Sequence, residues 1–265
     1  SQNGIFLLGP TLMEFGTDEQ KARFLPPMAA GDEIWAQAWS EPGAGSDMAA
    51  IRSKAVREGD HYIINGQKTW SSRAAFADWG FGIFRTEEGS SRHKGLSFLL
   101  FPLNAEGVTV RPIRQLDGDV GFAEIFFDNV KVPVENLLGP EHEGWRIAMA
   151  TAGFERGLML RSPARFQAAA ERLLNLYKAY GDKAPQSARA KVTQAWLDAE
   201  AYCLNTYYTA SRLMAGGKIG AEASCNKIFW SELDREMQRT GLSITGALGE
   251  LVETAPEAVA GGRWL

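Results

Sequence analysis

The first segment whose residues could do chemistry is Ala38–Asp47, which reads AWSEPGAGSD. Its two glycines let the backbone come close to a ligand and direct N–H groups at it. The hydroxyls of Ser40 and Ser46 add hydrogen-bond donors. Such a loop suits a phosphate group or a planar polar ring. The same composition fits an irregular turn closed by an aspartate, and the residues alone leave both interpretations open.

A second segment, Gly66–Ser72, reads GQKTWSS. The indole of Trp70 offers a large aromatic face, and the hydroxyls of Ser71 and Ser72 lie next to it in sequence. Aromatic side chains stack on aromatic ligands, so this segment could bind one. A tryptophan in a strand is also a common core residue, which is the alternative interpretation.

A third position of interest is Glu155, which lies between Gly153 and Gly157 in a stretch of helical composition. Glycine disfavours a helix by about 1 kcal/mol per position, so two glycines around one glutamate indicate space for a ligand. A carboxylate in an apolar cleft has a raised pKa and can accept a proton near neutral pH. A solvated surface glutamate is the alternative.

The elements that must position these residues begin with a helical region over 1–33. Thr17 is the predicted N-cap of a helix within it, because Asp18 and the residue after it place acidic side chains in the first turn. Pro26 and Pro27 should end that helix near Leu25.

From 34 to about 139 the pattern is that of short strands, typical of a β-sandwich or barrel. Two hairpin turns are predicted, at Gly59-Asp60 and at Asn65-Gly66, because these residues tolerate positive φ. The predicted strands include Lys54–Glu58, His61–Ile64, Trp79–Thr86, Leu96–Leu103, Val108–Gln115 and Ala123–Phe127.

After Glu143, proline and β-branched residues become rare, and three long helices are predicted over 143–180, 188–215 and 221–252. Long helices with short connections form antiparallel bundles. One stretch of the second helix is crowded with apolar side chains, which predicts an interface with another subunit. These are Trp196, Leu197, Tyr202, Leu204, Tyr207 and Tyr208.

Composition excludes several classes of function. The formal net charge of the 265 residues is −4, which argues against a nucleic-acid surface. No apolar run reaches the ~18 residues of a membrane span. The two cysteines, Cys203 and Cys225, form no CxxC pattern, which argues against a zinc site or a disulfide framework. We therefore expect no metal and a reduced, cytoplasmic setting.

Together the segments resemble the acyl-CoA dehydrogenase family. The resemblance rests on AWSEPGAGSD, on INGQKTWSS about 20 residues later, on FAEIFFDNVKVPVENLLG at Phe122–Gly139 and on GWRIAMATAGFERG at Gly144–Gly157. It covers nearly all of 17–160. Most of the family's N-terminal helical domain and its extreme C-terminal segment have no counterpart in this sequence.

The resemblance implies an α+β fold with three parts. These are a remnant of the N-terminal helical domain (1–33), a central flavin-binding β domain (34–140) and a C-terminal helical bundle (141–265). It also implies non-covalent FAD in a cleft between the β domain and the bundle. The cofactor-binding residues would be Gln37, Ser40, Gly45, Ser46, Trp70, Ser71 and Ser72.

The implied reaction is α,β-dehydrogenation of an acyl-CoA thioester to a trans-2-enoyl-CoA. Some family members place the catalytic base on the first bundle helix just before an arginine, and here that position is Glu155. Others place it in a YEGT-like segment, which this sequence does not contain. Arg156 and Ser46 would contact the CoA part of the substrate.

The resemblance also implies partners. The electron acceptor would be an electron-transfer flavoprotein, and the chain would form a homo- or hetero-oligomer with related subunits. Lys178 stands roughly where most members have an arginine that reaches a neighbouring subunit's FAD. This difference resembles members that assemble from unlike subunits, for instance those that act on sterol side-chain CoA esters. An acyl-CoA oxidase, a non-catalytic subunit of a heteromer and a β-sandwich binding module remain the alternatives.

Overall fold

The structure is a computed structural model that describes residues 3–116, 118–158, 163–217, 220, 222–251, 255–256 and 258–259. The side chains of 156–158 and 222–224 lie outside that description. The chain divides into two compact units, unit 1 (Ser1–Glu155) and unit 2 (Arg156–Leu265). The predicted order of helices, then strands, then helices is confirmed. The three-domain division stays a prediction.

Unit 1 opens with a π-helical turn, Gly4–Leu8, followed by α1 (Gly9–Phe15) and α2 (Asp18–Ala30). Thr17 caps α2 as predicted, in a capping box with Gln20. The predicted helix end near Leu25 is wrong, because α2 continues through both prolines.

The end of α2 is set by Gly31 instead, which takes the left-handed conformation with φ of 86°. The carbonyl of Pro27 accepts N–H groups from Gly31 and the two residues after it. Phe24 and Met28, one turn apart, are both buried, and the ring of Phe24 packs edge-on against Trp35. Tertiary packing on both sides of the prolines therefore holds the last turns helical.

In the described part of unit 1, eight strands form one sheet with the order β6-β7-β3-β2-β4-β5-β8, and β1 pairs with β4 in parallel. The strands are β1 (Trp35–Ala38), β2 (Lys54–Glu58), β3 (His61–Ser72), β4 (Trp79–Arg85), β5 (Leu96–Pro102), β6 (Val108–Ile113), β7 (Phe122–Pro133) and β8 (Leu137–Leu138). One face of the sheet is built around three aromatic rings in edge-on contact, with centroids 5.1–5.8 Å apart: Phe84, Phe101 and Phe127.

The hairpin at Gly59-Asp60 is confirmed, since β2 and β3 pair directly across it. The hairpin at Asn65-Gly66 is wrong: β3 runs through both residues, paired with β7. The register shifts there because β7 carries an extra residue, and Asn129 N–H donates to the Asn65 side chain. Gly66 is needed for close approach, since a Cβ there would lie 2.3 Å from Ser53 Oγ.

The described residues of the predicted helix over 143–180 form α3 (Gly144–Leu158), which begins in unit 1, and α4 (Pro163–Tyr180). Residues 159–162, between the two ranges, lie outside the described residues, so the single continuous helix stays a prediction.

Unit 2 contains α4, α5 (Ala188–Met214) and α6 (Glu222–Thr245), and each of these helices contacts the other two. Phe166, Leu173 and Met237 lie in their common core. Tyr202, predicted as part of an exposed patch on α5, is instead buried with its ring edge-on to Phe166.

Over the described residues, no helix is both long and apolar enough to cross a membrane. The same residues contain no group of three His, Cys, Asp or Glu side chains placed to hold a metal.

Candidate functional site

The structure brings the two predicted segments, Ala38–Asp47 and Gly66–Ser72, into direct contact. The backbone N–H of Thr69 donates to the carbonyl of Ser40 at 2.8 Å. This bond joins the start of the glycine-rich loop to the strand β3, one residue before Trp70. The two sequence motifs therefore meet in one candidate site, although Ser40 and Thr69 are 29 positions apart along the chain.

A buried ion pair lies directly under this contact. Lys68 Nζ is 2.9 Å from Glu41 Oε1 and also donates to the carbonyls of Trp39, at 3.2 Å, and Ile83, at 2.8 Å. The ammonium group therefore has three acceptors, its full capacity. Burial lowers the pKa of Lys68 to about 8, and the charge of Glu41 opposes that shift.

The carboxylate of Glu41 closes the loop from the other side. It accepts the backbone N–H of Arg52 at 2.6 Å and that of Ser53 at 3.0 Å. Burial by itself raises the pKa of Glu41, but the Lys68 charge and the Arg52 and Ser53 hydrogen bonds outweigh it, so the pKa lies below its ordinary value. Residues 41 and 52–53, the two ends of the loop, are thus held together.

Between those ends the loop is presented to solvent. Glu41 and Ala44 exchange two backbone hydrogen bonds, of 3.1 and 3.0 Å, around Pro42 and Gly43. A Cβ added at Gly43 or Gly45 would meet no described atom within 4 Å. Gly45 and Ser46 are exposed, so their backbone and hydroxyl groups are accessible to a ligand.

Trp70 is not a core residue: 59% of its surface is exposed, and the interpretation of a strand tryptophan packed in the core is wrong. Its φ of 55° is left-handed, which is unfavourable for a bulky side chain. The register with β7 shifts between Lys68 and Ser71, so Trp70 sits in a β-bulge, a feature that re-aims a side chain. Its ring touches the edge of Phe122, with centroids 6.0 Å apart.

The two serines after Trp70 differ in environment. Ser71 is buried, and its Oγ has no hydrogen-bond partner among the residues that the structure describes. A buried hydroxyl without a partner costs about 1–3 kcal/mol, so a polar partner such as a ligand would stabilise it. Ser72 is half-buried, and its carbonyl accepts the Asn3 side-chain N–H at 3.2 Å. Gln37 is half-buried on β1, opposite Phe81 of β4.

Glu155 lies on α3, one turn after Thr151. The Thr151 hydroxyl is buried, 2.9 Å from that of Thr11 on α1, and Ile147 one turn earlier is buried too. Residues four apart share a helix face, so Glu155 continues the face that packs on unit 1. Its own side chain is exposed, and a Cβ at Gly153 would meet no described atom within 4 Å.

The described residues of unit 1 therefore do not enclose Glu155 in the apolar cleft that the sequence predicts. The side chain of Arg156, the predicted CoA contact, lies outside the described residues.

Sequence reasoning missed Glu41, Lys68 and Asn3. One signal was available for Lys68: Tyr62 and Ile64 point into the core, and Lys68 falls in the same alternating phase of β3. A lysine in an inward position requires a buried partner. Nothing in the spacing indicates that the partner is Glu41.

Models of three acyl-CoA dehydrogenase domains match this chain in order. The N-terminal domain matches residues 2–32, the middle domain 36–130 and the C-terminal domain 142–260. The chain belongs to the acyl-CoA dehydrogenase family. The resemblance seen in its motifs is confirmed, as is the fold of the family: a sheet-rich middle domain followed by a helical C-terminal domain.

Relatives in this family are substantially longer. The acyl-CoA dehydrogenase IpdE1 of Mycobacterium tuberculosis is 38% identical over 244 residues, which cover 92% of this chain and 63% of IpdE1. This chain therefore spans less than two thirds of that relative's length.

Two solved structures share the fold at high coverage. A chain of the ChsE4-ChsE5 complex from Mycobacterium tuberculosis matches 99% of this chain over 69% of its own length, with a TM-score of 0.87 and 32% identity. A chain of the Tcur3481-Tcur3483 steroid acyl-CoA dehydrogenase matches 99% over 68%, with a TM-score of 0.91 and 30% identity.

Within this acyl-CoA dehydrogenase chain, the two segments that carry the predicted flavin-contacting residues are joined on unit 1 by the Ser40–Thr69 hydrogen bond. The roles of the individual residues stay predictions, and so does the role of Glu155.

Proposed function

We propose that this protein catalyses the FAD-dependent α,β-dehydrogenation of an acyl-CoA thioester to a trans-2-enoyl-CoA. The observation that carries the proposal is the junction of the two motif segments. The Ser40–Thr69 hydrogen bond joins the start of the glycine-rich loop to β3 one residue before Trp70, which is exposed and has a left-handed backbone. Left-handed backbone at a bulky residue persists where function requires it.

The residues present fit FAD. Gly43 and Gly45 leave the backbone of the loop open, as a pyrophosphate requires for close approach. Trp70 presents a free indole face for an apolar ring system. Ser71 carries a buried hydroxyl that lacks a partner in the described structure. Together these features serve both the charged and the planar part of a dinucleotide.

In this function each residue of the loop and strand has a binding task. Backbone N–H groups around Gly45 and the hydroxyl of Ser46 bind the phosphates. The hydroxyls of Ser40 and Ser72 hydrogen-bond and orient the flavin ring, and Trp70 covers one face of it and excludes water. When bound, the flavin supplies the hydride acceptor, chemistry that no side chain provides.

Glu155 is the proposed general base. Its carboxylate takes the proton from the carbon α to the thioester carbonyl, the β hydrogen leaves as a hydride, and a double bond forms between the two carbons. Arg156, the next residue, is proposed to meet the anionic CoA. Transfer of the electrons to an electron-transfer flavoprotein completes the turnover.

For the substrate, we propose the CoA ester of a bulky ring system such as a steroid side chain. The name of one structural neighbour, the Tcur3481-Tcur3483 steroid acyl-CoA dehydrogenase, supports this choice. Comparing turnover of a steroid side-chain CoA ester with that of a linear acyl-CoA tests it. Faster turnover of the linear substrate would contradict the assignment.

The flavin site is tested by a double substitution, Trp70→Ala with Ser46→Ala, in the full-length protein. Wild-type protein should purify with a flavin absorbance spectrum, and the double variant should lose it. Trp196→Ala is the matched control, because Trp196 is an exposed tryptophan of unit 2. Full flavin retention in the double variant would place the site elsewhere.

The base is tested separately by Glu155→Gln, which keeps the shape and removes the proton acceptor. Loss of a general base lowers turnover by about 10²-fold or more, while the flavin stays bound. Glu171→Gln on α4, another exposed helical glutamate, is the control and should keep normal turnover. Near-normal turnover of Glu155→Gln with intact flavin would assign the base to another residue.

A second candidate is a non-catalytic subunit of a heteromer. The ChsE4-ChsE5 complex, which this chain resembles, is named for two different chains. Lys178, near the end of α4, is exposed. By the family resemblance it stands roughly where most members have the arginine that reaches a neighbour's FAD. This candidate predicts no stoichiometric flavin in the isolated chain. Oxygen consumption by the reduced protein would instead indicate an oxidase.

A further inference from the structure

The buried pair of Lys68 and Glu41 lies where the glycine-rich loop meets β3. Lys68 Nζ holds the carbonyl of Trp39 and the carboxylate of Glu41, the two neighbours of Ser40. The next residue, Thr69, binds the carbonyl of Ser40 itself. Three consecutive residues of the loop are therefore held by two consecutive residues of β3.

The same pair also fixes the far end of the loop. Glu41 accepts the N–H groups of Arg52 and Ser53, which follow the exposed loop residues. Ser53 Oγ accepts the N–H of Gln67, one residue before Lys68 on β3. Both ends of the loop are thereby tied to one stretch of β3.

We infer that Lys68 and Glu41 are positioning residues: together they hold the glycine-rich loop and the Trp70–Ser72 strand end at the separation that FAD requires. This inference rests on the proposed function. Ordering a loop on binding reduces affinity, and a loop that is ordered beforehand avoids that loss. Neither side chain is exposed, since Lys68 is fully buried and Glu41 nearly so, so both act on the ligand through the backbone they hold.

An alternative role is purely structural, and the two roles separate in a double variant. Removing one partner leaves an unpaired buried charge, which destabilises the fold strongly. Replacing both, with Lys68→Met and Glu41→Gln, removes the two charges at similar volume and leaves no unpaired buried charge, so the double variant should lose less stability than Lys68→Met alone. A structural role predicts that stability and FAD affinity recover together in the double variant. A positioning role predicts that only stability recovers.

The experiment titrates FAD into the apoprotein of wild type, of Lys68→Met, of the double variant and of Lys68→Arg, and it records thermal melting of each. We expect the double variant to melt cooperatively and to bind FAD about tenfold more weakly or worse, the loss of one charge-assisted hydrogen bond. Lys68→Arg, which keeps a donor charge, should recover part of the affinity.

Tyr62→Phe is the matched control. It removes a partly buried hydrogen bond elsewhere in unit 1, the 2.6 Å bond from Tyr62 to Glu141, so it should lower stability without weakening FAD binding. A double variant that binds FAD as tightly as wild type overturns the inference while leaving the proposed function intact. Absence of FAD binding in the wild type overturns the proposed function, and the inference with it.

If the double variant does not fold, amide hydrogen exchange of the wild-type apoprotein decides the matter. The N–H groups of Arg52, Ser53 and Thr69 should be protected before FAD is added, because the bonds to Glu41 and Ser40 already exist. Unprotected exchange at these amides in the apoprotein would show that the loop is ordered only by the ligand, and would overturn the inference.

Discussion

In unit 1, two opposite charges are buried next to the candidate site, and every donor of the Lys68 ammonium has an acceptor. In unit 2, apolar side chains are exposed along α5 instead: Leu197, Leu204, Tyr207 and Tyr208 are each more than half exposed. Buried polar groups need exact partners, and such partners fix a geometry. The exposed α5 side chains leave more than half of their surface uncovered by the described residues of unit 2.

The difference teaches that the two units contribute to function in different ways. The site in unit 1 is organised by contacts inside that unit. Leu197, Leu204 and Tyr208 recur at helical spacing on α5, and exposed apolar side chains grouped in this way predict an interface. We therefore expect that replacing a single buried polar residue will destabilise unit 1. Replacing an exposed apolar residue of α5 should have an effect only in the assembled protein.

The largest effect is expected for Lys68→Ala. It leaves Glu41 buried without its partner, and breaking a buried pair in this way costs about 3–5 kcal/mol of unfolding free energy. Urea unfolding measures the change in unfolding free energy, and hydrogen exchange at the β3 amides provides a second measurement. The comparison in unit 2 is Gln167→Ala, which removes a 2.9 Å bond to Glu200. Equal losses of unfolding free energy in the two variants would show that the buried ion pair contributes no more to stability than an ordinary side-chain hydrogen bond.

A smaller effect is expected from pH. Burial holds the pKa of Lys68 at about 8, below its ordinary value of 10.5, against the opposing charge of Glu41. Between about pH 8 and pH 10.5, Lys68 is protonated in the unfolded chain and deprotonated in the folded one. The unfolding free energy should therefore rise with pH through this window, by at most about 1.4 kcal/mol per pH unit.

The matched variant for the pH experiment is again Lys68→Met with Glu41→Gln, which has neither titrating group. Urea unfolding at pH 8, 9 and 10 gives the difference between the wild type and this variant. The nearby Arg85 stays charged over this pH range. It therefore contributes equally to the wild type and the variant, and its contribution cancels in the difference. A difference that stays constant or falls as the pH rises would show that Lys68 keeps its proton in the folded state.

The smallest effect on the chain itself is expected for Leu204→Ser with Tyr207→Ser on α5. Both side chains are exposed, so each substitution should change the unfolding free energy by about 0.5 kcal/mol or less. We propose that this surface contacts another acyl-CoA dehydrogenase-like subunit, so sedimentation should shift toward the monomer. An unchanged sedimentation profile, or a strictly monomeric wild type, would assign no interface to this surface.

Local signals in the sequence predicted the features that neighbouring residues determine alone. Thr17 caps α2 because its partner Gln20 is three residues away, and Gly59-Asp60 turns because the turn needs only its own dihedrals. The motif segments were recognisable for a related reason. Close approach of the backbone to a ligand requires glycine at particular positions, and these glycines are visible in the sequence.

The tertiary structure alone decided what depends on residues distant in sequence. Asn65 and Gly66 are part of β3 because the bulge of β7 lies opposite them. The helix α2 continues through its two prolines because Phe24 and Met28, on either side of them, are buried against the rest of the fold.

Trp70 is exposed because a register shift with β7 changes the direction of its side chain. Lys68 pairs with Glu41, which is 27 positions earlier in the sequence. Burial energies depend on which surfaces meet in the folded chain. Chain spacing fixes only what a few bonds can reach.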